Sequence, residues 1–194
     1  MNDIFIKLPT SKLLAIAAYG EARGEGVEGM LAVLNVIRNR TKNISKYGDS
    51  KIYNYTRDKY KAVILKGKQF SVFNKGTKER NDMISIAQDF NNQLIQNTEL
   101  VQAYELSKKL LKGEIVDNTY GATYYHTTDI LPSWSKSLFK AGRIGRHIFY
   151  STAGKIPSVK IDVLQNPLVI CGIGGILTLL YVTMFSEKKL QKAK

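Results

Sequence analysis

Between Val163 and Ser186 the chain runs for 24 residues without Asp, Glu, Lys or Arg, and no other feature limits its architecture so strongly. Read as a helix from Pro167 to Phe185, this stretch would be roughly 28 Å long, close to a hydrocarbon core of about 30 Å. Ten residues of that helix are Leu, Ile, Val or Phe. Each favours insertion by about 0.3 to 0.6 kcal/mol, against small polar penalties from Thr178, Thr183 and the glycines. Asn166-Pro167 suits a helix start, where a missing N–H leaves nothing unpaired. The competing reading, a core helix apolar on every side, is unusual in so small a protein. The expected organisation is a domain over 1–150, a juxtamembrane linker over 151–163, a transmembrane helix in the lipid bilayer over 164–186, and a basic tail over 187–194. The tail and the segment 143–162 each carry a net charge of +3, so the positive-inside rule assigns no orientation.

The whole chain has 29 Lys and Arg against 16 Asp and Glu, a net charge of +13. Such an excess calls for an anionic partner: nucleic acid, a membrane surface, or an acidic polymer such as cell-wall glycan. With 44% hydrophobic residues and 10% aromatics, a disordered basic tail is excluded and a packed core is expected. The basic residues are scattered, as in TKNISK, YKAVILKGK and KERND, rather than clustered among stacking aromatics, so nucleic acid is not expected as a partner. The single Cys171 excludes an intrachain disulfide and a cysteine zinc site. The two histidines, His126 and His147, sit in strand-like runs and are expected to be hydrogen-bonded structural residues; no metal and no cofactor is expected. The apolar LLAIAAYG over 13–20, behind Lys7 and Lys12, is short and continues into the charged GEARGEG, so it is not read as a removable leader.

Apolar periodicity predicts helices over 11–22, 27–40, 60–65, 83–95 and 98–112, with Thr98 capping the last and Gly113 ending it. The pattern then changes. ATYYHT (122–127) and RHIFYST (146–152), rich in aromatic and β-branched residues, read as two strands framing a loop with Pro132 and Trp134. The fold class expected is α+β, mostly α, with a small β-hairpin section.

The chemistry concentrates in YGEARGEG, over 19–26. A carboxylate at the end of an apolar helix, followed by glycines, opens onto a cleft where backbone can approach a ligand. Partial desolvation there favours a general acid. Glu21 follows Ala17 and Ala18 on the apolar face and is the candidate. Glu25, between two glycines, is expected to be the more solvated. On spacing alone Glu21 reads more readily as a surface helix carboxylate paired with Arg23 or another cation.

The blocks YGEARGEGVEGMLAVLNVIRNR, KGKQFSVF, DNTYGATYYHT and PSWSKSLFKAGRIGRHIFY resemble, in order, those of the spore-cortex-lytic cell wall hydrolase family of the SleB/CwlJ type. The resemblance spans about residues 13–150. It implies a lysozyme-like domain that cleaves the peptidoglycan glycan strand between N-acetylmuramic acid and N-acetylglucosamine. It further implies a lytic transglycosylase in which Glu21, the first Glu of the GEARGE block, is the catalytic acid and base. An ordinary glycosidase needs two carboxyls; a lytic transglycosylase works with one, because the muramic acid C6 hydroxyl is the nucleophile. Gln69 and Ser71 are expected to donate hydrogen bonds to N-acetyl groups. Thr119, Thr123, Tyr124 and Tyr125 are expected to line the opposite wall, with only one of the two tyrosines facing the cleft because strand side chains alternate. Trp134 is either a sugar platform or a core anchor. Two departures stand out: Asn118 where the family tends to show Pro, and Lys68 where a small residue before the Gln is common. A wall-cutting domain with its own membrane anchor suggests a bacteriophage setting, either a membrane-containing virion with membrane or capsid partners, or an anchored lysis enzyme. The rival readings are an inactive structural membrane protein of the same fold and a tethered nucleic-acid binder.

Overall fold

The computed structural model describes residues 3–152. The expected membrane span and basic tail, and all but the start of the expected linker, lie outside the described residues. No helix among the described residues is long and apolar enough to cross a membrane. The chain is helical as far as Lys112: α1 (Ile4–Lys7), α2 (Thr10–Ala22), a 3-10 turn (Arg23–Glu25), α3 (Gly26–Thr41), α4 (Ile44–Tyr47), α5 (Ser50–Thr56), α6 (Lys59–Ile64), a second 3-10 turn (Ser71–Phe73), α7 (Lys78–Gln88), α8 (Phe90–Gln96) and α9 (Thr98–Lys112). Three strands follow, β1 (Tyr124–Thr127), β2 (Phe139–Ile144) and β3 (His147–Ser151), in an antiparallel sheet of order β1-β3-β2. The class is thus mostly helical α+β.

Helix α2 is the centre of the core. Leu13 through Ala18 are all 0% exposed, because α3, α6, α7 and α9 pack around them. Fully burying Leu13, Leu14 and Ile16 stabilises the fold by about 1.5 to 3 kcal/mol each, while the interspersed alanines let neighbouring helices approach. Ser107 on α9 is buried without penalty, because its hydroxyl donates to Ser11 O at 2.8 Å. The catalytic candidate therefore sits in the last turn of the most rigidly enclosed helix.

Several expectations change. The helix predicted over 83–95 is two helices, broken at Asp89 (φ −128°, ψ 39°). The break turns Phe90 inward to an edge contact with Tyr104, ring centres 5.3 Å apart. Asn97, not Thr98, caps α9, its side chain accepting from Leu100 N. Gly113 ends α9 at φ 77° as expected. The loop framed by the two predicted strands contains β2, so the hairpin is β2–β3, closed by the two-residue turn Gly145-Arg146, and β1 joins its far side. Ser151, the first residue of the expected linker, closes β3.

Helix α3 positions the segment that leads into β1. Its polar residues recur at helical spacing. Asn35 Nδ2 donates to Val116 O and to Asn118 Oδ1, both at 3.0 Å. Arg38 donates to Ile115 O at 2.9 Å. Asn39 Nδ2 donates to Asp117 Oδ2 at 2.8 Å and to Ala122 O at 3.2 Å. Arg40 Nε donates to Thr123 O at 2.8 Å. A segment without regular structure thereby has its backbone acceptors satisfied by one helix face, and β1 is delivered to a fixed place.

Candidate active site

Glu21 is half-buried at the end of α2, and three donors converge on its carboxylate. Ser71 Oγ donates to Oε1 at 3.0 Å and Val72 N to the same oxygen at 3.2 Å. The hydroxyl of Tyr125 donates to Oε2 at 2.7 Å. Two of the donors come from the Ser71–Phe73 turn, which rests on Gly20: a Cβ there would lie 2.9 Å from Met83 Sδ and 3.0 Å from a Val72 methyl. The third comes from β1. Burial, and then the charge of Glu21, push the Tyr125 hydroxyl well above the usual tyrosine range. Tyr125 accordingly stays a neutral phenol at working pH and donates to the ionised carboxylate.

Beside this carboxylate lies a cleft of about 500 Å³ lined by Arg40, Lys46, Tyr47, Lys68, Gln69, Tyr124, Tyr125 and Trp134. Arg40, 7% exposed, organises its floor. Its guanidinium reaches Gln69 Oε1 at 2.9 Å as well as Thr123 O. Gln69 Nε2 in turn donates to Tyr47 O at 2.8 Å, and the Tyr47 hydroxyl to Thr123 Oγ1 at 3.1 Å. Burial lowers the Arg40 pKa, and the nearby Tyr125 and Tyr47 oppose that shift. Trp134 closes the far side, its ring centre 5.3 Å from Tyr124 and 5.5 Å from Tyr150.

Glu25 is not the solvated carboxylate expected. Its side chain is 9% exposed and is clamped by Arg146, whose backbone N donates to Oε2 at 2.8 Å and whose Nε donates to Oε1 at 3.0 Å. These bonds, the backbone one foremost, hold its pKa below the usual carboxylate value. The approach is close enough that a Cβ on Gly145 would lie 1.9 Å from Glu25 Oε2, and Gly145 itself is left-handed at φ 54°. Ion-paired with Arg146 and held as a weak base, Glu25 ties the turn after Glu21 to the β2–β3 hairpin.

Residues 24–150 match the family model described as cell wall hydrolase. The chain belongs to the cell wall hydrolase family. Its kin of known structure include the catalytic domain of Bacillus cereus SleB, a crystal structure 25% identical over 73% of this chain and 89% of that one, with a TM-score of 0.51. The catalytic domain of the germination-specific lytic transglycosylase SleB from Bacillus anthracis is also 25% identical, covering 73% of this chain and 93% of that one, with a TM-score of 0.47. No curated protein sequence matches the chain. The hydrolase is thus of the SleB/CwlJ type, an enzyme acting on peptidoglycan. Glu21 stands just before the span matched by the family model.

Within the hydrolase the structure brings together Glu21, Ser71 and Tyr125 by direct bonds, and Gln69, Tyr124, Tyr125 and Trp134 around one cleft. Both tyrosines of β1, an edge strand, line that cleft, not one. The amide of Gln69 is engaged at both ends by Arg40 and Tyr47, and Ser71 is directed at Glu21. Thr123 is 7% exposed and supports Tyr47. Thr119, 1% exposed, lies apart from the cleft lining, donating to Asp117 at 2.6 Å. His126 is hydrogen-bonded to Thr127 O and the Tyr150 hydroxyl. His147 differs: its Nδ1 is buried with no hydrogen-bond partner among the described residues. Arg40, Tyr47 and Lys46 were not singled out in the sequence. The polar spacing of Asn35, Arg38 and Asn39 inside an otherwise apolar helix was the available signal for a face bonded to backbone.

Proposed function

We propose that the hydrolase cleaves the bond between N-acetylmuramic acid and N-acetylglucosamine as a lytic transglycosylase with Glu21 as its one catalytic carboxylate. The observation that carries this reading is the contrast between two neighbouring acids: Glu21 accepts only from neutral donors beside a cleft, while Glu25 is ion-paired with Arg146. Oε1 of Glu21 receives Ser71 and the fixed Val72 N–H, so Oε2 is the oxygen that carries the transferable proton. The Tyr125 hydroxyl beside it can accept when Glu21 is protonated and donate when it is ionised. Oε2–H protonates the leaving glycosidic oxygen as the C1–O bond breaks. The carboxylate then takes the proton of the muramoyl C6 hydroxyl as its oxygen closes onto C1. Intramolecular attack replaces a positioned water, so no second carboxylate is needed. Tyr124 and Trp134 hold the sugar rings from the cleft wall, and Gln69, fixed between Arg40 and Tyr47, steadies the floor.

The full-length chain incubated with purified peptidoglycan is expected to release fragments with anhydromuramoyl ends, read by mass. Reducing ends would replace transglycosylation with hydrolysis. Glu21→Gln is expected to abolish release with an unchanged far-UV spectrum, and full activity in that variant would remove Glu21 from the role. The uncharged stretch over 163–186 supports a membrane anchor for this enzyme, which suits a wall-cutting component of a bacteriophage, carried in a virion membrane or acting in host lysis. The expected result is a chain that stays with membranes through alkaline and high-salt washing; release by either wash would refute the anchor, and absence from purified particles would refute the virion setting.

A further inference from the structure

The backbone of Lys68 is left-handed at φ 63°, a conformation glycine adopts freely and lysine does not. Residues held in such conformations cluster at ligand sites. Lys68 also lines two spaces at once: the 500 Å³ cleft and a second, larger cavity of about 1120 Å³. The other cations of the cleft are committed. Arg40 is bonded to Thr123 and Gln69, and the Lys46 ammonium lies 5.1 and 5.7 Å from the ring centres of Tyr47 and Tyr124. Lys68 has no such partner among the described residues.

The larger cavity is basic and amphipathic. Lys51, Lys68, Lys75 and Arg80 line it against Asp3 and Asp49. Both carboxylates are already engaged, Asp3 with Arg80 at 2.6 Å and Asp49 with the backbone N–H groups of Lys51 and Ile52. With Asp3 paired to Arg80, only the Asp49 charge stands against Lys51, Lys68 and Lys75, which leaves a net charge of +2 beside apolar wall from Ile52, Leu65 and Ile84.

We propose that this cavity, with Lys68 at its threshold, is a subsite for the acidic peptide that peptidoglycan carries on its muramoyl residues. The proposal rests on the glycan-strand reading of the cleft. A peptide joined through the lactyl ether of a sugar in the cleft must leave the cleft sideways, and Lys68 is the wall residue common to both spaces. Its ammonium meets the first free carboxylate of the peptide, Lys51 and Lys75 attract those further along, and the alanyl methyls rest on the apolar wall. The subsite makes the enzyme one that prefers peptide-bearing strands.

The test gives the full-length chain two substrates, glycan strands with intact peptides and the same strands stripped by an amidase. The wild type is expected to show about fivefold lower KM for peptide-bearing strands, the size of one solvent-accessible ion pair. Lys68→Gly, which also relieves the backbone, is expected to erase that preference, and Lys68→Arg to keep it. Equal KM values in the wild type, or a preference that survives both Lys68→Gly and the double change Lys51→Ala with Lys75→Ala, overturns the subsite. Cosedimentation in the Glu21→Gln background separates this from the catalytic reading. If the wild type cleaves neither substrate, the glycosidase reading fails, while tighter binding to peptide-bearing strands, lost in Lys68→Gly, still supports the subsite and equal binding still overturns it.

Discussion

Replacing Tyr125 by Phe removes one hydroxyl from Glu21 and leaves a half-buried ring of nearly the same shape. A hydrogen bond to a charged group contributes about 1.5 to 3 kcal/mol, so kcat is expected to fall about tenfold or more while KM and Tm change little. Steady-state muropeptide release checks this, and a change confined to KM would make Tyr125 a binding residue only. The pH dependence of stability follows from three other side chains. Burial holds the His147 pKa below the ordinary imidazole value. Between its folded pKa and the unfolded value of about 6.5 the unfolded state binds more protons, so this contribution is fully present above about 6.5 and declines as pH falls. Asp117 and Glu25 act at lower pH. Burial raises the Asp117 pKa, but bonds from Thr119, Asn39 and Gly121 together outweigh it, and Arg146 lowers Glu25. Both carboxylates stabilise above their ordinary values near 4, and that stability is lost as pH falls through the folded ones. Urea midpoints between about pH 3 and 8 are expected to fall in two stages on acidification, with His147→Gln flattening the upper stage. A midpoint constant between about pH 5 and 7 would contradict the desolvated His147.

The contact of α2 with the Ser71–Phe73 turn is where an element boundary governs the site. Gly20→Ala would gain up to about 1 kcal/mol of helix propensity, yet the new methyl meets Met83 and both Val72 methyls within 3.1 Å. Overpacking of this kind costs about 1 to 3 kcal/mol, and the displaced Val72 carries a donor to Glu21. Tm and kcat are expected to fall together; a more stable, fully active variant would show slack that the packing does not contain. Between α3 and the segment before β1, Asn39→Ala would remove the donor to the carbonyl of Ala122 and one of the two donors to Asp117 Oδ2, which keeps Gly121 N. The expected loss is about 1 to 3 kcal/mol by denaturant titration, larger than for an exposed control such as Lys78→Ala. The main helices and β1 and β3 were legible because their apolar periods are local. Helix α8 and strand β2 were not. Asp89 breaks a helical pattern only because Phe90 finds Tyr104, and FKAGRI becomes a strand only because β3 supplies its ladder.

For the molecule as a whole, the net charge is +13, and the described residues form three ion pairs. Binding of the Glu21→Gln protein to purified peptidoglycan is therefore expected to weaken severalfold from about 50 to 500 mM salt, as the Debye length shortens; salt-independent binding would assign affinity to the cleft alone. The sequence by itself determined the helical body, the central apolar helix that ends in Glu21, and the family. Those properties depend on composition, short-range periodicity and ordered blocks, all of which survive without coordinates. Only the tertiary structure decided which side chains act on Glu21, since Ser71 and Tyr125 lie 50 and 104 residues beyond it. It likewise decided that Gln69 is a strut between Arg40 and Tyr47, that Glu25 is closed off by Arg146, and that Lys68 stands between two cavities. Each of these is a hydrogen bond or a shared wall between segments remote in the chain, and such geometry exists only once the core around α2 has brought them together.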